Sequence, residues 1–151
     1  MNVQQIESLS KRRLKVWLGL LHVNRATESH MREYLRVKHQ TTLPRFDVMA
    51  ALHRSRKRIT MSELSRMLLV SNGNATAVVD RLERDGLVKR MVSDTDRRTI
   101  FAALTVAGLR QFEVLAVDHE REVNNLFDAL SEPELETLTV LLKRIKKGEK
   151  S

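Results

Sequence analysis

Apolar residues recur three or four apart from Ile6 to about Val37, at Ile6, Leu9, Trp17, Leu20, Leu21, Met31, Tyr34 and Leu35 with one gap, the spacing of a long amphipathic helix. Lys11, Arg12 and Arg13 fall on its polar face. The stretch TTLPRFDVMAALHRSRKR predicts a second helix, since Pro44 is tolerated in a first turn, where its missing N–H has no intrahelical partner to lose. That helix closes on a basic cluster, Arg54, Arg56, Lys57 and Arg58. Thr60 and Glu63 have capping-box spacing and predict a short helix of about two turns carrying Leu64, Met67 and Leu68. Ser71 is the expected N-cap of the next helix, whose apolar stripe is Ala75, Val78, Val79 and Leu82 and which Gly86 ends. Its other face carries Asn72, Asn74, Thr76, Ala77, Arg81 and Arg84, so the two short helices and the tight LLVSNG turn read as a helix-turn-helix.

Two strand-length runs follow, LVKRMV and TIFAAL, separated by the charged loop SDTDRR. Helical spacing returns at Leu109, Phe112, Leu115, Ala116, His119, Val123, Leu126, Phe127 and Leu130. SEPE at Ser131–Glu134 then caps a last helix with Leu135, Leu138, Leu141, Leu142 and Ile145. The fold class is mainly α with a small β-hairpin. The flanking helices carry more apolar stripe than a DNA-binding lobe of about 80 residues covers, which calls for a partner subunit.

The chain has 151 residues, a length that suits one domain. It has 27 Lys and Arg against 19 acids, a formal charge of +8 that attracts polyanions. The aromatics Trp17, Tyr34, Phe46, Phe101, Phe112 and Phe127 are scattered, which argues against a single-strand binder built on stacking platforms and favours duplex DNA. There is no cysteine, so disulfides, thiolate zinc sites, cysteine nucleophiles and thiol sensing are excluded. The N-terminus lacks an apolar signal region and no run of about 18 apolar residues occurs; a soluble cytoplasmic protein without membrane contact is expected.

The loop between the strands holds its charge where it does least for a core. If the helix after Ser71 lies in a major groove, the hairpin tip reaches the neighbouring minor groove or backbone. An arginine inserted there gains energy from the strongly negative, narrow groove. Asp96, two residues before Arg98, is expected to orient an arginine side chain by a charge-assisted hydrogen bond.

The run ELSRMLLVSNGNATAVVDRLERDGLVKRMVSDTDRRTIFAALTVAG resembles the winged-helix core of the MarR family of bacterial transcription regulators. There a helix-turn-helix, GLV.R, a D-x-R wing and LT..G follow in this order. The resemblance implies a DNA-binding lobe at about 43–108, dimerisation helices at about 1–40 and 109–151, and a single winged-helix domain over 1–151. It implies a homodimer on a pseudo-palindromic operator of double-stranded DNA, with half-sites about 34–36 Å apart. Asp96 and Arg98 fall on the family's wing acid and minor-groove arginine, and Arg97 adds a second basic residue at the tip. Major-groove contacts are assigned to Ser71, Asn72, Asn74, Thr76, Ala77 and Arg81, and phosphate contacts to Arg54, Arg56, Arg58 and Arg84. The segment SNGNATAVVDRL departs from relatives with larger polar or basic residues here.

The resemblance also implies a repressor released by a small anionic aromatic ligand or its CoA thioester. Trp17, His22, Arg25, His30, Arg45, Met49 and His53, on the first two helices, are the candidate binding residues. No cofactor is called for. An effector-free or metal-responsive DNA-binding protein is the alternative, and a protein that coats DNA without sequence preference is a third. An enzyme is not expected: His119–Glu120 opens a zinc-protease pattern that Val123 breaks, and no phosphate loop or nucleophile elbow occurs.

Overall fold

The computed structural model describes residues 6–68 and 74–148. Ser71 and Asn72 therefore lie outside the described residues. Six helices and three strands run in the order α1 (Leu9–His39), α2 (Leu43–Ser55), β1 (Ile59–Thr60), α3 (Met61–Met67), α4 (Ala75–Arg84), β2 (Val88–Val92), β3 (Ile100–Leu104), α5 (Val106–Leu126) and α6 (Glu132–Gly148) among the described residues. The chain divides into two compact units, 1–116 and 117–151.

Local chemistry explains most boundaries. Ser8 accepts the Lys11 N–H at the start of α1, and Thr42 accepts the Arg45 N–H at the start of α2, with Pro44 in the first turn. Thr60 and Glu63 make both halves of the capping box on α3. α4 begins later than expected. Its N-cap is Asn74, whose side chain accepts the Thr76 N–H at 3.0 Å, and not Ser71. In the second unit, Ser131 and Glu134 cap α6 reciprocally.

The first unit is built on one core. Leu35 of α1, Val48, Met49 and Leu52 of α2, Leu64 of α3, Val79 and Leu82 of α4, Ala102 of β3, and Phe112 and Leu115 of α5 are buried together. Burying each of the larger aliphatic side chains contributes about 1.5–3 kcal/mol. The strands form one antiparallel sheet in the order β1-β3-β2, with Ile59 opposite Ala102 and Arg90 opposite Ala102 from the other side. The third strand, β1, has only two residues and is absent from the hairpin that the sequence pattern predicts.

The turn after α4 is where the helix-turn-helix, hairpin and α5 meet. Gly86 takes φ +76°, a left-handed conformation that closes the helix, while the Leu87 N–H returns to the Leu82 carbonyl at 2.9 Å. Thr105 then binds this turn twice. Its hydroxyl donates to the Gly86 carbonyl at 2.6 Å and its N–H to the Leu87 carbonyl at 3.0 Å. The same hydroxyl accepts the Gly108 N–H at 3.0 Å. A Cβ on Gly108 would lie 1.9 Å from the Leu87 oxygen, so only glycine lets α5 approach this closely. The LT..G motif, Leu104–Gly108, is thus the fastening between the hairpin, α5 and the end of α4.

One polar group on α2 is left unsettled. Asp47 is half-buried, and its Oδ2 is buried without a hydrogen-bond partner among the described residues. Burial first and Glu28 second push its carboxyl up to about 6, against the opposing pull of Arg54 and Arg32. A folded-state value raised above the ordinary 3.8 means that the native state holds the proton more tightly than the unfolded chain. Stability therefore falls as pH rises from about 4 to about 6 on account of this group.

Gly108→Ala should destabilise the protein by at least about 1–3 kcal/mol in urea unfolding, because backbone must move to admit the methyl group. Asp47→Asn should raise the melting temperature at pH 8, with the advantage over the parent shrinking as pH drops below about 6. An advantage that stays constant with pH would show that charge at Asp47 is not its cause.

Candidate DNA interface

α4 buries Ala75, Val78, Val79 and Leu82 and turns the opposite side outward. Thr76, Arg81 and Arg84 are exposed there, and Ala77 is half-buried beside them. Asn74 is exposed at the tip, with its amide oxygen committed to the cap. A short helix with small and polar residues outward and a basic end has the size and chemistry to enter a major groove.

The same outward side carries two acids, Asp80 and Glu83, which oppose a polyanion. Arg90 on β2 answers both. Its guanidinium lies 2.5 Å from Asp80 and 3.0 Å from Glu83, and its backbone N–H donates to Glu83 Oε2 at 3.0 Å. Hydrogen bonds from Arg90 hold the Glu83 carboxyl below the usual carboxylate range. These contacts cancel the acids and tie the hairpin to α4. Arg90 is a candidate site residue absent from the sequence expectations; the R of GLV.R and two acids one turn apart on α4 are the signals that point to it.

At the hairpin tip, Asp96 works differently from the sequence expectation. Its Oδ1 accepts the backbone N–H of Arg98 at 3.0 Å and its Oδ2 the Thr99 hydroxyl at 3.1 Å. Ser93 Oγ accepts the Asp96 N–H at 3.3 Å, and the Ser93 N–H reaches the Thr99 carbonyl at 2.9 Å. The acid therefore builds the turn and does not grip an arginine side chain. Arg97 and Arg98 are exposed, and neither guanidinium has an ion-pair partner among the described residues.

Arg54, Arg56 and Arg58 are exposed around the end of α2. Arg56 is its C-cap in the left-handed region at φ 55°, with its N–H on the His53 carbonyl at 3.1 Å. Arg58 lies over the Phe101 ring, 4.3 Å from the centroid.

The seven residues expected to form one effector pocket do not come together. Met49 is a core residue, 1% exposed. Arg45 pairs with Asp85 at 2.6 Å near one end of α2, whereas His53 rests on Phe112 at the other, 4.7 Å between ring centroids. Eight residues of helix separate the two by about 12 Å. Trp17, His22, Arg25 and His30 are exposed along α1. His53 and Arg45 line two different cavities. One, of about 530 Å³, is lined by Leu52, His53, Arg56, Arg58, Thr105 and Leu109 among others, with Glu113 as its acid. The other, of about 540 Å³, lies against α4. No helix among the described residues is long and apolar enough to cross a membrane.

Known proteins resemble this chain in sequence and fold. The MarR family model matches residues 41–100. The HTH-type transcriptional regulator MhqR of Bacillus subtilis is 31% identical over 137 residues, covering 91% of this chain and 93% of the relative. A single-residue mutant of Escherichia coli MarR complexed with operator DNA superposes with a TM-score of 0.75 at 27% identity, over 92% of this chain and 99% of that one. Bordetella bronchiseptica BpsR, whose DNA binding is regulated by 6-hydroxynicotinic acid, shares the fold. Its TM-score is 0.76 at 19% identity, over 87% of this chain and 98% of BpsR.

Proposed function

This chain belongs to the MarR family of DNA-binding transcriptional regulators, and from that premise we propose that it is a homodimeric repressor of a pseudo-palindromic operator, released by a small anionic aromatic ligand or its CoA thioester. The observation that carries the DNA-binding geometry is the Arg90 tie. With its acids neutralised and the hairpin anchored to it, α4 enters the major groove through Thr76, Ala77, Arg81 and Asn74, while Arg98 enters the minor groove and Arg97 lies beside it. Ser71 and Asn72, assigned to the same groove, lie outside the described residues. Arg54, Arg56, Arg58 and Arg84 take phosphates, and Asp96 contributes by shaping the wing turn.

Dimerisation is supported by apolar surface that the monomer leaves uncovered. On α1, Leu9, Leu14, Val16, Trp17 and Val23 are each more than half exposed. On α6 no residue is buried, and Leu135, Val140, Leu141, Leu142 and Ile145 are 42–52% exposed. Surface of this kind on both flanking segments suits an interface with a second copy.

The effector site is the 530 Å³ cavity, whose size falls in the range of small-molecule sites. Leu52, Leu104 and Leu109 give it apolar wall, Arg56 and Arg58 give it cationic groups for a carboxylate, and His53 adds an imidazole ring. Thr105 belongs to the wall and also holds the turn behind α4. A ligand that shifts Thr105 thus acts on the recognition helix. Complete release needs about 5.5 kcal/mol of preference for the non-binding arrangement of the dimer.

Light scattering should give twice the 17.4 kDa chain mass. Arg98→Ala should weaken operator binding by about 1–3 kcal/mol, whereas Arg56→Ala should weaken binding to all duplexes alike and make the salt dependence shallower by about 0.9. Identical behaviour of the two variants in fluorescence anisotropy would remove the distinction between groove and backbone contact. Aromatic acids and their thioesters should lower operator affinity in the parent and fail to do so in His53→Ala.

A further inference from the structure

The cavity against α4 is lined by Arg32 and Arg36 of α1, Arg45 of α2, and Asn74, Ala77 and Arg81 of α4 among others. Residues of the outward side of α4 thus share one concavity with three arginines from outside the helix-turn-helix pair. The first turn of α2, a helix of 13 residues, also opens into it through Thr42, Leu43 and Pro44, adding the positive end of a helix dipole.

Each outer arginine is aligned by one carboxylate. Arg32 pairs with Glu28, Arg36 binds Glu33 through two nitrogens at 3.0 and 2.7 Å, and Arg45 meets Asp85 at 2.6 Å. The side chains of Arg32 and Arg36 are 59% and 69% exposed, so these pairs contribute little and exchange readily for a stronger anion. Arg81 has no ion-pair partner among the described residues.

From this arrangement we infer that Arg32, Arg36 and Arg45 form a clamp for the phosphate backbone of the duplex, extending the DNA interface beyond the helix-turn-helix and wing onto α1 and α2. This rests on the placement of α4 in a major groove given above. An α-helix with its side chains is about 10–12 Å across and fills a groove about 12 Å wide, so whatever flanks the helix meets the strand at the groove edge. The flank here is a concavity with four guanidinium groups and a helix N-terminus. Its ligand chemistry is a phosphate oxygen, and the duplex delivers it at the distance that the seating of α4 already sets.

The test is the salt dependence of duplex binding by the full chain. The double variant Arg32→Gln, Arg36→Gln should lose about 0.9 of slope for each phosphate contact removed, with a loss of roughly fivefold in affinity per contact at about 0.15 M salt, the same for operator and for unrelated duplex. Arg32→Lys, Arg36→Lys should keep most of the slope, since a point charge also holds a phosphate. Arg12→Gln, Arg13→Gln, far along α1, should leave it unchanged. An unaltered slope in the first variant, or an equal loss in the third, overturns the clamp. So does a first variant that keeps its slope but loses calorimetric binding of inorganic phosphate to the free protein, which would assign the cavity to a soluble anion. If the parent shows no salt-dependent duplex binding, the functional reading itself fails, a result distinct from a parent that binds and a variant that matches it.

Discussion

In the proposed complex, everything that faces DNA depends on how one turn is held. The carbonyls of Gly86 and Leu87, just past the recognition helix, are both taken by Thr105, and Gly108 lets α5 close on the Leu87 oxygen without a side chain between them. Carbonyls at a helix end have no partner within the helix, and here they find one at the strand-to-helix junction on the far side of the hairpin. α4, the hairpin and the start of α5 are consequently fastened to one another at this turn. A change at the Thr105 junction reaches the helix without passing through a flexible loop.

Electrostatics refines this frame. The net charge of +8 attracts DNA without selecting a surface, and the surface is selected by where acids are neutralised. Asp80 and Glu83 would weaken the recognition face if left alone, yet with Arg90 between them they become the anchor of the wing. At the wing tip the acid Asp96 is consumed by backbone and hydroxyl hydrogen bonds, which leaves Arg97 and Arg98 as the outward charges. In both places a carboxylate on the proposed DNA side has a structural occupation that removes its conflict with phosphate.

What is legible in the sequence is local or periodic. The capping box of Thr60 and Glu63, Pro44 in a first turn, Gly86 closing a helix and the apolar stripe of α4 depend on neighbours a few residues away, and each is present in the structure. The start of α4 is ambiguous in sequence because Ser71 and Asn74 are both good caps, and nothing local says which of them opens the helix. The strand β1 is invisible there, since two residues carry no period and their pairing partners stand more than 40 positions away. The tie of Arg45 to Asp85, 40 residues apart, is likewise out of reach. The effector cluster dissolves for another reason: a shared helix does not imply a shared pocket, because residues eight apart stand about two turns from each other and Met49 faces the core.

In the proposed complex, two copies of one rigid reader, helix in the wide groove and wing in the narrow one, grip a single twofold site. Hydroxyl-radical footprinting on genomic fragments tests this most directly. The expected result is one protected palindrome, with cleavage suppressed at two major-groove centres one helical turn apart and at the minor grooves flanking them. Uniform protection along every fragment, or protection of a single unpaired half-site, would contradict it.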